Sequence, residues 1–250
     1  MWLQLSHRTD PVAFARDRLG FCPDPIQAEI LRSPASRIIL NCTRQWGKST
    51  IVAGLAAHRL CASSAGSLAV IVSPSARQSA EMLRKVAAFL RLAGVQARTD
   101  GVNRFSLLLN SGSRAVALPS RESTIRGFSA PSLIVIDEAA LVPDEVYRAV
   151  RPMLASSHNG RLVLLSTPRG RRGFFYDEWT SQRDWRRFQV SATECPRISR
   201  QFLDQERLSL GDWAFRQEYL CEFMDNRAAL FTQDLLSRAL SGDFEPWSLR

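Results

Sequence analysis

The stretch Arg37–Thr50, RIILNCTRQWGKST, decides the fold of this 250-residue chain. It starts with an apolar run that lacks polar alternation, as in a strand that helices cover on both faces, and it passes directly into Gly47-Lys48-Ser49-Thr50. It matches the phosphate-binding pattern G-x-x-x-x-G-K-[ST], except that Cys42 stands at the first glycine position. Such a loop turns backbone N–H groups toward phosphate oxygens at a positive helix end. The stretch therefore predicts a strand, a phosphate loop and the start of a helix.

Each residue type in this loop has a chemical reason to be there. Lys48 is expected to contact the β- and γ-phosphates as a compact point charge, and Ser49 to offer its hydroxyl to Mg²⁺. The alternative is a chance Gly-Lys-Ser at a helix start, which the preceding strand disfavours. The other candidate nucleotide-binding positions of the loop are Arg44, Gln45, Trp46, Gly47 and Thr50.

Apolar runs alternate with helical stretches along the rest of the chain, which is the pattern of a mainly parallel sheet flanked by helices. We expect an α/β fold in which Phe105–Pro119 forms a hairpin at a sheet edge and Arg187–Ala192 is a further strand candidate. The core strands are expected at Arg37–Cys42, Leu68–Ser73, Leu133–Asp137 and Arg161–Ser166. The helices are expected at Pro25–Arg32, Lys48–Ala62, Ser75–Ala93 and Asp144–Ala155.

Composition narrows the class of protein. The chain is 45% hydrophobic, has no 18-residue apolar run and does not start like a signal peptide, so we expect an intracellular protein with no membrane partner. Its scattered cysteines and histidines suggest neither a disulfide framework nor a zinc site. The net charge of +9 favours a polyanionic partner, although the excess of arginine can also reflect codon usage in a GC-rich genome. The two lysines, Lys48 and Lys85, stand out against that background.

A second motif, Leu133-Ile134-Val135-Ile136-Asp137-Glu138, is a strand that ends in two acids. An acid at this strand end can hold Mg²⁺ through water, and the acid after it can polarise the attacking water. We assign Asp137 the first role and Glu138 the second. Many strands stop at solvated acids, so the assignment depends on the phosphate loop. Together the two motifs predict a P-loop NTPase of the ASCE type, followed by a small C-terminal helical lid.

Two weaker signals accompany these motifs. Ser166, Thr167 and Pro168 end another core strand, where small hydroxyls can report the loss of the γ-phosphate, although the same residues also make a good turn. Gln27 lies upstream of the phosphate loop in Pro25-Ile26-Gln27, and its carboxamide could read the edge of adenine. An isolated glutamine is more often a solvated helix residue.

These residues together resemble the ATPase domain of the large terminase subunit, the DNA-packaging motor of tailed bacteriophages. The resemblance covers residues 20 to 232 and includes a late Phe215-Arg216-Gln217-Glu218-Tyr219 stretch. It implies ATP hydrolysis with Mg²⁺, coupled through Ser166–Pro168 to translocation of double-stranded DNA into a procapsid. The implied partners are a portal protein, a small terminase subunit and further copies in a ring. A helicase-like translocase and a non-enzymatic prophage remnant remain alternatives.

We also expect a particular domain organisation and particular roles for several arginines. We expect an ATPase core at 1–195, lid helices at 196–232 with a break near Gly211, and a tail at 233–250. No nuclease domain is expected, so the nuclease would be encoded apart or lie in a missing part of the protein. The expected location is the cytoplasm of the bacterial host. Arg44 and Arg126 are candidates for the catalytic arginine, and the candidates for DNA contact are Arg169, Arg171 and Arg172.

Overall fold

The computed structural model describes residues 2–63, 66–100, 103–121, 125, 127–157, 159–225 and 239. Its strands are β1 (Arg37–Cys42), β2 (Leu68–Ser73), β3 (Ala97–Asp100), β4 (Asn103–Leu109), β5 (Arg114–Pro119), β6 (Leu133–Asp137), β7 (Arg161–Ser166) and β8 (Arg186–Val190). Its α-helices are α1 (Trp2–Thr9), α2 (Pro11–Leu19), α3 (Pro25–Arg32), α4 (Lys48–Ala62), α5 (Ala76–Leu92), α6 (Asp144–Val150), α7 (Gly173–Thr180) and α8 (Arg200–Tyr219).

The strands form one mixed sheet in the order β3-β4-β5-β2-β6-β7-β1-β8. In this spatial order, every neighbouring pair from β5 to β8 is parallel, namely β5–β2, β2–β6, β6–β7, β7–β1 and β1–β8. The two remaining pairs, β3–β4 and β4–β5, are antiparallel. The predicted α/β class and the hairpin at a sheet edge are therefore confirmed. The hairpin is more than an insertion, because β5 pairs in parallel with β2 and so extends the main sheet.

The central strands are buried on both faces, which is why their sequences show no polar alternation. Ile38 and Leu40 of β1 pack into the cluster that contains α4 and α5, and Ile39 packs on the opposite face. In this arrangement the carboxyl ends of β1, β6 and β7 meet at one edge of the sheet, where α/β proteins bind their ligands. The phosphate loop and the acid pair follow β1 and β6 at that edge.

Several boundaries differ from the sequence prediction. Helix α5 starts at Ala76, because the Ser75 hydroxyl accepts the N–H of Gln78 and Ser75 itself is the cap. Helix α6 ends at Val150 and continues as a 3-10 turn that contains Pro152, because proline cannot donate within the helix. Strand β8 is one residue earlier at its start and ends at Val190.

Four elements were not foreseen: α1, α2, β3 and α7. For α2 a local signal exists, since the Asp10 carboxylate caps the helix at Val12 and Pro11 occupies its first turn. Strand β3 has the polar sequence ARTD, so no apolar pattern indicates a strand there. It forms because it pairs with β4 at the sheet edge.

The C-terminal helix α8 is broken at Gly211, which has φ 74° and ψ 161°, as the sequence predicts. The predicted limits of the core, lid and tail stay predictions. The end of the predicted lid and all of the predicted tail except Ala239 lie outside the described residues. No described helix combines the length and the apolar character needed to cross a membrane.

Candidate nucleotide-binding site

A cleft of about 1000 Å³ opens at the carboxyl edge of the sheet, above β1, β6 and β7. Its size fits the upper range of small-molecule sites. It brings together most of the residues that the sequence motifs predict. Its lining comprises Phe21, Gln27, Arg44, Gln45, Trp46, Gly47, Lys48, Ser49, Thr50, Gln78, Lys85, Glu138, Leu141, Ser166, Thr167, Pro168, Arg169, Arg197, Gln217 and Glu218.

The phosphate loop has the backbone geometry of an anion site. Gln45 and Gly47 have φ values of 64° and 100°, so the chain reverses sharply twice before α4 begins. Alternating left-handed residues of this kind form concavities of backbone N–H groups. No side chain among the described residues caps α4 at Gly47, so the first-turn N–H groups and the positive helix end face the cleft. Lys48, the first residue of α4, is only 6% exposed.

Two side chains hold the phosphate loop in place by donating to the backbone carbonyl of Trp46. That oxygen accepts a 3.2 Å hydrogen bond from the Gln27 side chain and a second from the Arg197 guanidinium. The Trp46 indole is 1% exposed and packs in the core, so the expectation that Trp46 binds nucleotide can hold only for its backbone. Gly47 has φ 100°, a conformation that residues with a side chain rarely adopt, so a substitution there would strain the loop even though a Cβ atom would make only ordinary contact with Gln27.

Both polar atoms of the Gln27 carboxamide form hydrogen bonds with the backbone. Its oxygen accepts the Asp24 N–H at 3.0 Å in a capping box at the start of α3, while its nitrogen holds Trp46. The side chain is 2% exposed. Gln27 lines the cleft, and its reading of adenine stays a prediction that requires one of these bonds to be shared or exchanged.

The acid pair at the end of β6 divides into a buried and a cleft-facing carboxyl. Burial, and next the charge of Glu138, raise the pKa of Asp137 from 3.8 to about 6, against the attraction of Lys48 and Lys85. The Asp137 carboxylate also accepts the N–H of Glu138 at 3.1 Å. Glu138 has φ 48° and ψ 48°, a left-handed conformation that turns its side chain into the cleft.

Ser166, at the end of β7, connects the acid pair to the neighbouring strand. Its hydroxyl donates to Glu138 Oε2 at 3.4 Å and accepts the N–H of Ala140 at 3.3 Å. Thr167 and Pro168 follow it along the wall of the cleft. The predicted coupling segment is therefore in direct contact with the predicted catalytic glutamate.

The donor set at this end of the cleft fits a magnesium ion that a nucleotide would bring with it. The Ser49 hydroxyl lies in the first turn of α4, and the Asp137 carboxylate is close enough to Lys48 to feel its charge. Mg²⁺ takes one or two protein oxygens and completes its shell with water and phosphate. Within the described part of the chain, no group of three or more histidine, cysteine or acidic side chains could hold a metal by itself.

The C-terminal helix closes one side of the cleft through several contacts with β1 and the phosphate loop. Arg44 Nε lies 2.9 Å from Glu218 Oε2, and the Thr43 hydroxyl donates to the Glu218 carbonyl at 3.3 Å. Asn41, fully buried in β1, donates to the Cys221 carbonyl at 2.8 Å, while its amide oxygen has no hydrogen-bond partner among the described residues. These bonds tie residues 218–221 to the strand and loop that would hold the nucleotide.

The predicted arginines have different environments. Arg44 lines the cleft but is paired with Glu218, and Arg126 lies outside the described residues. Arg169 lines the cleft, and Arg171 donates to the Phe223 carbonyl at 3.1 Å and lies 3.5 Å from Asp225. Arg172 is exposed and precedes α7. Of the three arginines expected to contact DNA, Arg171 thus contacts residues 223–225, whereas Arg169 and Arg172 are exposed, and the role stays a prediction.

Sequence reasoning missed several residues that line the cleft, namely Phe21, Gln78, Lys85, Leu141, Arg197, Gln217 and Glu218. Lys85 carried a signal, since it is one of two lysines. No feature of the sequence marks Arg197, because it is one of 31 arginines in the chain. Gln217 reaches the site from α8, where its oxygen accepts the Gly170 N–H at 3.0 Å.

The sequence of this chain is similar to those of known large terminase subunits. A family model described as terminase large subunit, T4likevirus-type, N-terminal, matches residues 39–238. The large terminase subunit of Thermus virus P23-45 is 30% identical, and the match covers 86% of this chain and 51% of that protein. The chain thus spans about half the length of the relatives it matches.

Solved structures agree in fold. The large terminase ATPase domain of Thermus phage P74-26 has 25% identity and a TM-score of 0.75, with 86% of this chain and 99% of that domain covered. The large terminase of a thermophilic bacteriophage, solved with ADP, has 13% identity and a TM-score of 0.62, with 89% and 53% covered. The fold is that of the P-loop ATPases of the ASCE type. By the match over residues 39–238 and the shared motifs, the chain belongs to the large terminase family and corresponds to the N-terminal part of its members.

Proposed function

We propose that this chain binds and hydrolyses ATP with Mg²⁺ in the cleft, as the ATPase part of a motor that moves double-stranded DNA into a procapsid. One observation carries the proposal: the phosphate loop, Lys48 and the cleft-facing Glu138 meet at one edge of the sheet, beside the buried Asp137. Support for the nucleotide comes from the thermophilic bacteriophage terminase, which was solved with ADP and with ATP-gamma-S.

The phosphate loop would bind the polyphosphate. Its left-handed residues Gln45 and Gly47 expose backbone N–H groups, and the start of α4 adds a positive helix end. Lys48 adds a compact charge for the β- and γ-phosphates. Ser49 and Asp137 would hold Mg²⁺, directly or through water, and the ion neutralises charge on the phosphates when it is bound.

Glu138 would act as the general base. A water oxygen attacks the γ-phosphorus, Glu138 accepts a proton of that water, and the bond to the bridging oxygen breaks as ADP leaves. In this structure the Glu138 carboxylate receives the Ser166 hydroxyl at 3.4 Å, a long hydrogen bond that is easily exchanged for a water. Ser166 would then link the position of Glu138 to the Thr167–Pro168 segment.

Two arginines are proposed to complete the site. Arg44 could reach the nucleotide of its own subunit after releasing Glu218. Arg126 could serve a neighbouring subunit of a ring, in which case activity rises with protein concentration. Mixing Arg126→Ala with Glu138→Gln subunits would then recover some activity, because each supplies the residue that the other lacks. If oligomers form and mixing restores nothing, Arg126 does not act in trans.

We further propose that the motor works in the cytoplasm of a bacterial host with a portal protein, a small terminase subunit and a nuclease in a separate domain or chain. DNA contact is assigned to the basic loop 169–172, in which Arg169 and Arg172 are exposed. The basic net charge of +9 supports a phosphate-rich partner.

The test is ATP turnover by the purified chain, alone and with double-stranded DNA, portal protein and small subunit. We expect turnover that requires Mg²⁺ and increases when the partners are present. A chain that turns over no ATP under any of these conditions would contradict the proposal and favour a non-enzymatic role in assembly.

A further inference from the structure

The second lysine of the chain, Lys85, lies in the same cleft as the first. Thirty-one of the 33 cationic side chains are arginine, so lysine is rare in this sequence. Among the described residues, five cationic side chains line the cleft, and both lysines are among them: Arg44, Lys48, Lys85, Arg169 and Arg197. A lysine ammonium is a compact point charge, whereas a guanidinium is a planar fork. Both lysines of the chain therefore line this one cleft, beside three arginines.

Helix α5 positions Lys85 toward the cleft. The helix starts at Ala76, just after β2 ends at the same edge of the sheet, and Gln78 and Lys85 are two turns apart on one face. Both line the cleft. Side chains on a helix lean toward its N-terminus, so the Lys85 stem runs back along α5 toward the sheet edge. Met82 and Val86, beside it, are buried and fix the helix on the sheet.

The charge of Lys85 is not neutralised within the described part of the chain. It is half-buried, and no carboxylate there forms an ion pair with it. The preceding residue, Arg84, instead lies 2.6 Å from Glu81 on the exposed side of α5. Strand β2 lies beside β6 in the sheet and α5 follows β2, so Lys85 lines the cleft on the side where β6 ends in Asp137 and Glu138. The Lys85 ammonium therefore lies at the same end of the cleft as the acid pair.

We propose that Lys85 is a second phosphate-contacting cation of the nucleotide site and that it interacts with the terminal phosphate of ATP. The inference rests on the proposed function. If Glu138 activates the attacking water, the γ-phosphorus lies at the Asp137–Glu138 end of the cleft, which is the end that Lys85 lines. There Lys85 would stabilise the negative charge that spreads over the γ-phosphate oxygens during hydrolysis, and it would transfer no proton.

The consequence is a preference for ATP over ADP, because only ATP carries the phosphate that Lys85 would contact. The experiment compares Lys85→Gln and Lys85→Arg with Arg84→Gln, the matched control on the other side of α5. We expect Lys85→Gln to lower kcat/KM for ATP by about ten- to a hundredfold, as for loss of a hydrogen bond to a charged group. ADP affinity should change much less than this, since ADP lacks the phosphate that Lys85 would contact. Lys85→Arg should restore part of the loss, and Arg84→Gln should behave as the wild type.

Two results would overturn the inference. One is a Lys85→Gln variant with wild-type kcat and KM, and the other is an equal loss of ATP and ADP affinity. Thermal unfolding checks that each variant is folded, and Lys85→Met, which keeps the apolar stem, replaces Lys85→Gln if that variant does not fold. A wild-type chain that binds ATP no better than Lys48→Ala would instead overturn the proposed function, so the two failures are distinguishable.

Discussion

The buried carboxyl of Asp137 should make this protein less stable in the absence of its ligands than it would be with an amide at that position. Burial is the largest cause of its raised pKa, and repulsion by Glu138 adds to it. Asp137→Asn removes the charge while keeping an oxygen that can accept the Glu138 N–H, which the Asp137 carboxylate accepts at 3.1 Å.

The size and sign of the effect follow from the pKa. It rises from 3.8 to about 6 on folding, a displacement of about two pH units. At about 1.4 kcal/mol for each unit, the charged carboxyl costs the folded state up to about 3 kcal/mol. Because the folded pKa is the higher one, the cost is absent below about pH 4. It grows as the pH rises through about 6 and is constant above that.

The measurement is urea-induced unfolding of wild type and Asp137→Asn from pH 4 to pH 8, with a chelator and without nucleotide. We expect the variant to be more stable by about 1 to 3 kcal/mol at pH 8, with the advantage disappearing toward pH 4. Asp204→Asn, at an exposed position of α8, is the control and should show no such trend. A variant that is less stable than wild type at pH 8, or a difference that does not depend on pH, would refute the reasoning.

Three further predictions concern the surroundings of the cleft. Asn41→Asp places a carboxylate against the Cys221 carbonyl in a fully buried position and should lower the unfolding free energy by about 3 kcal/mol at pH 7, an effect that an unchanged urea midpoint would disprove. Glu218→Gln frees Arg44, so ATP affinity measured with a fluorescent analogue should rise by up to about fivefold; weaker binding would mean that Glu218 holds Arg44 in its working position. Arg172→Ala should reduce the salt dependence of DNA binding by about one phosphate contact without changing stability, whereas Arg171→Ala should destabilise the packing of residues 223–225; an unchanged slope for Arg172→Ala would remove it from the DNA interface.

The part of the structure that local sequence determines was predicted well. The strand, phosphate loop and helix at Arg37–Ala62 follow from an apolar run, a glycine and a lysine that are adjacent in the sequence. The Asp137-Glu138 end of β6 and the break at Gly211 follow in the same way, from residue types whose backbone or charge leaves few choices. Each of these features is encoded within a few residues.

The part that depends on distant contacts was not predicted. Arg197 and Gln217 reach the cleft because the chain after β8 folds back over the phosphate loop. No local pattern marks Arg197, and the stretch that contains Gln217 was noted only for the family resemblance, without a place in the cleft. Gln27 was expected in the site, but its carboxamide holds Asp24 and Trp46, a use that depends on how α3 packs beside the loop. Strand β3 likewise exists because β4 is available to pair with it.

The central claim is that one cleft both binds ATP through Lys48 and hydrolyses it through Glu138. The most direct measurement is calorimetric ATP binding together with turnover for Lys48→Ala and Glu138→Gln. We expect Lys48→Ala to lose tight binding, because the charge facing the phosphates is gone. We expect Glu138→Gln to bind ATP as the wild type does but not to turn it over, because an amide cannot accept the proton of the water. Wild-type affinity in Lys48→Ala, or equal loss of binding and turnover in Glu138→Gln, would contradict the central claim.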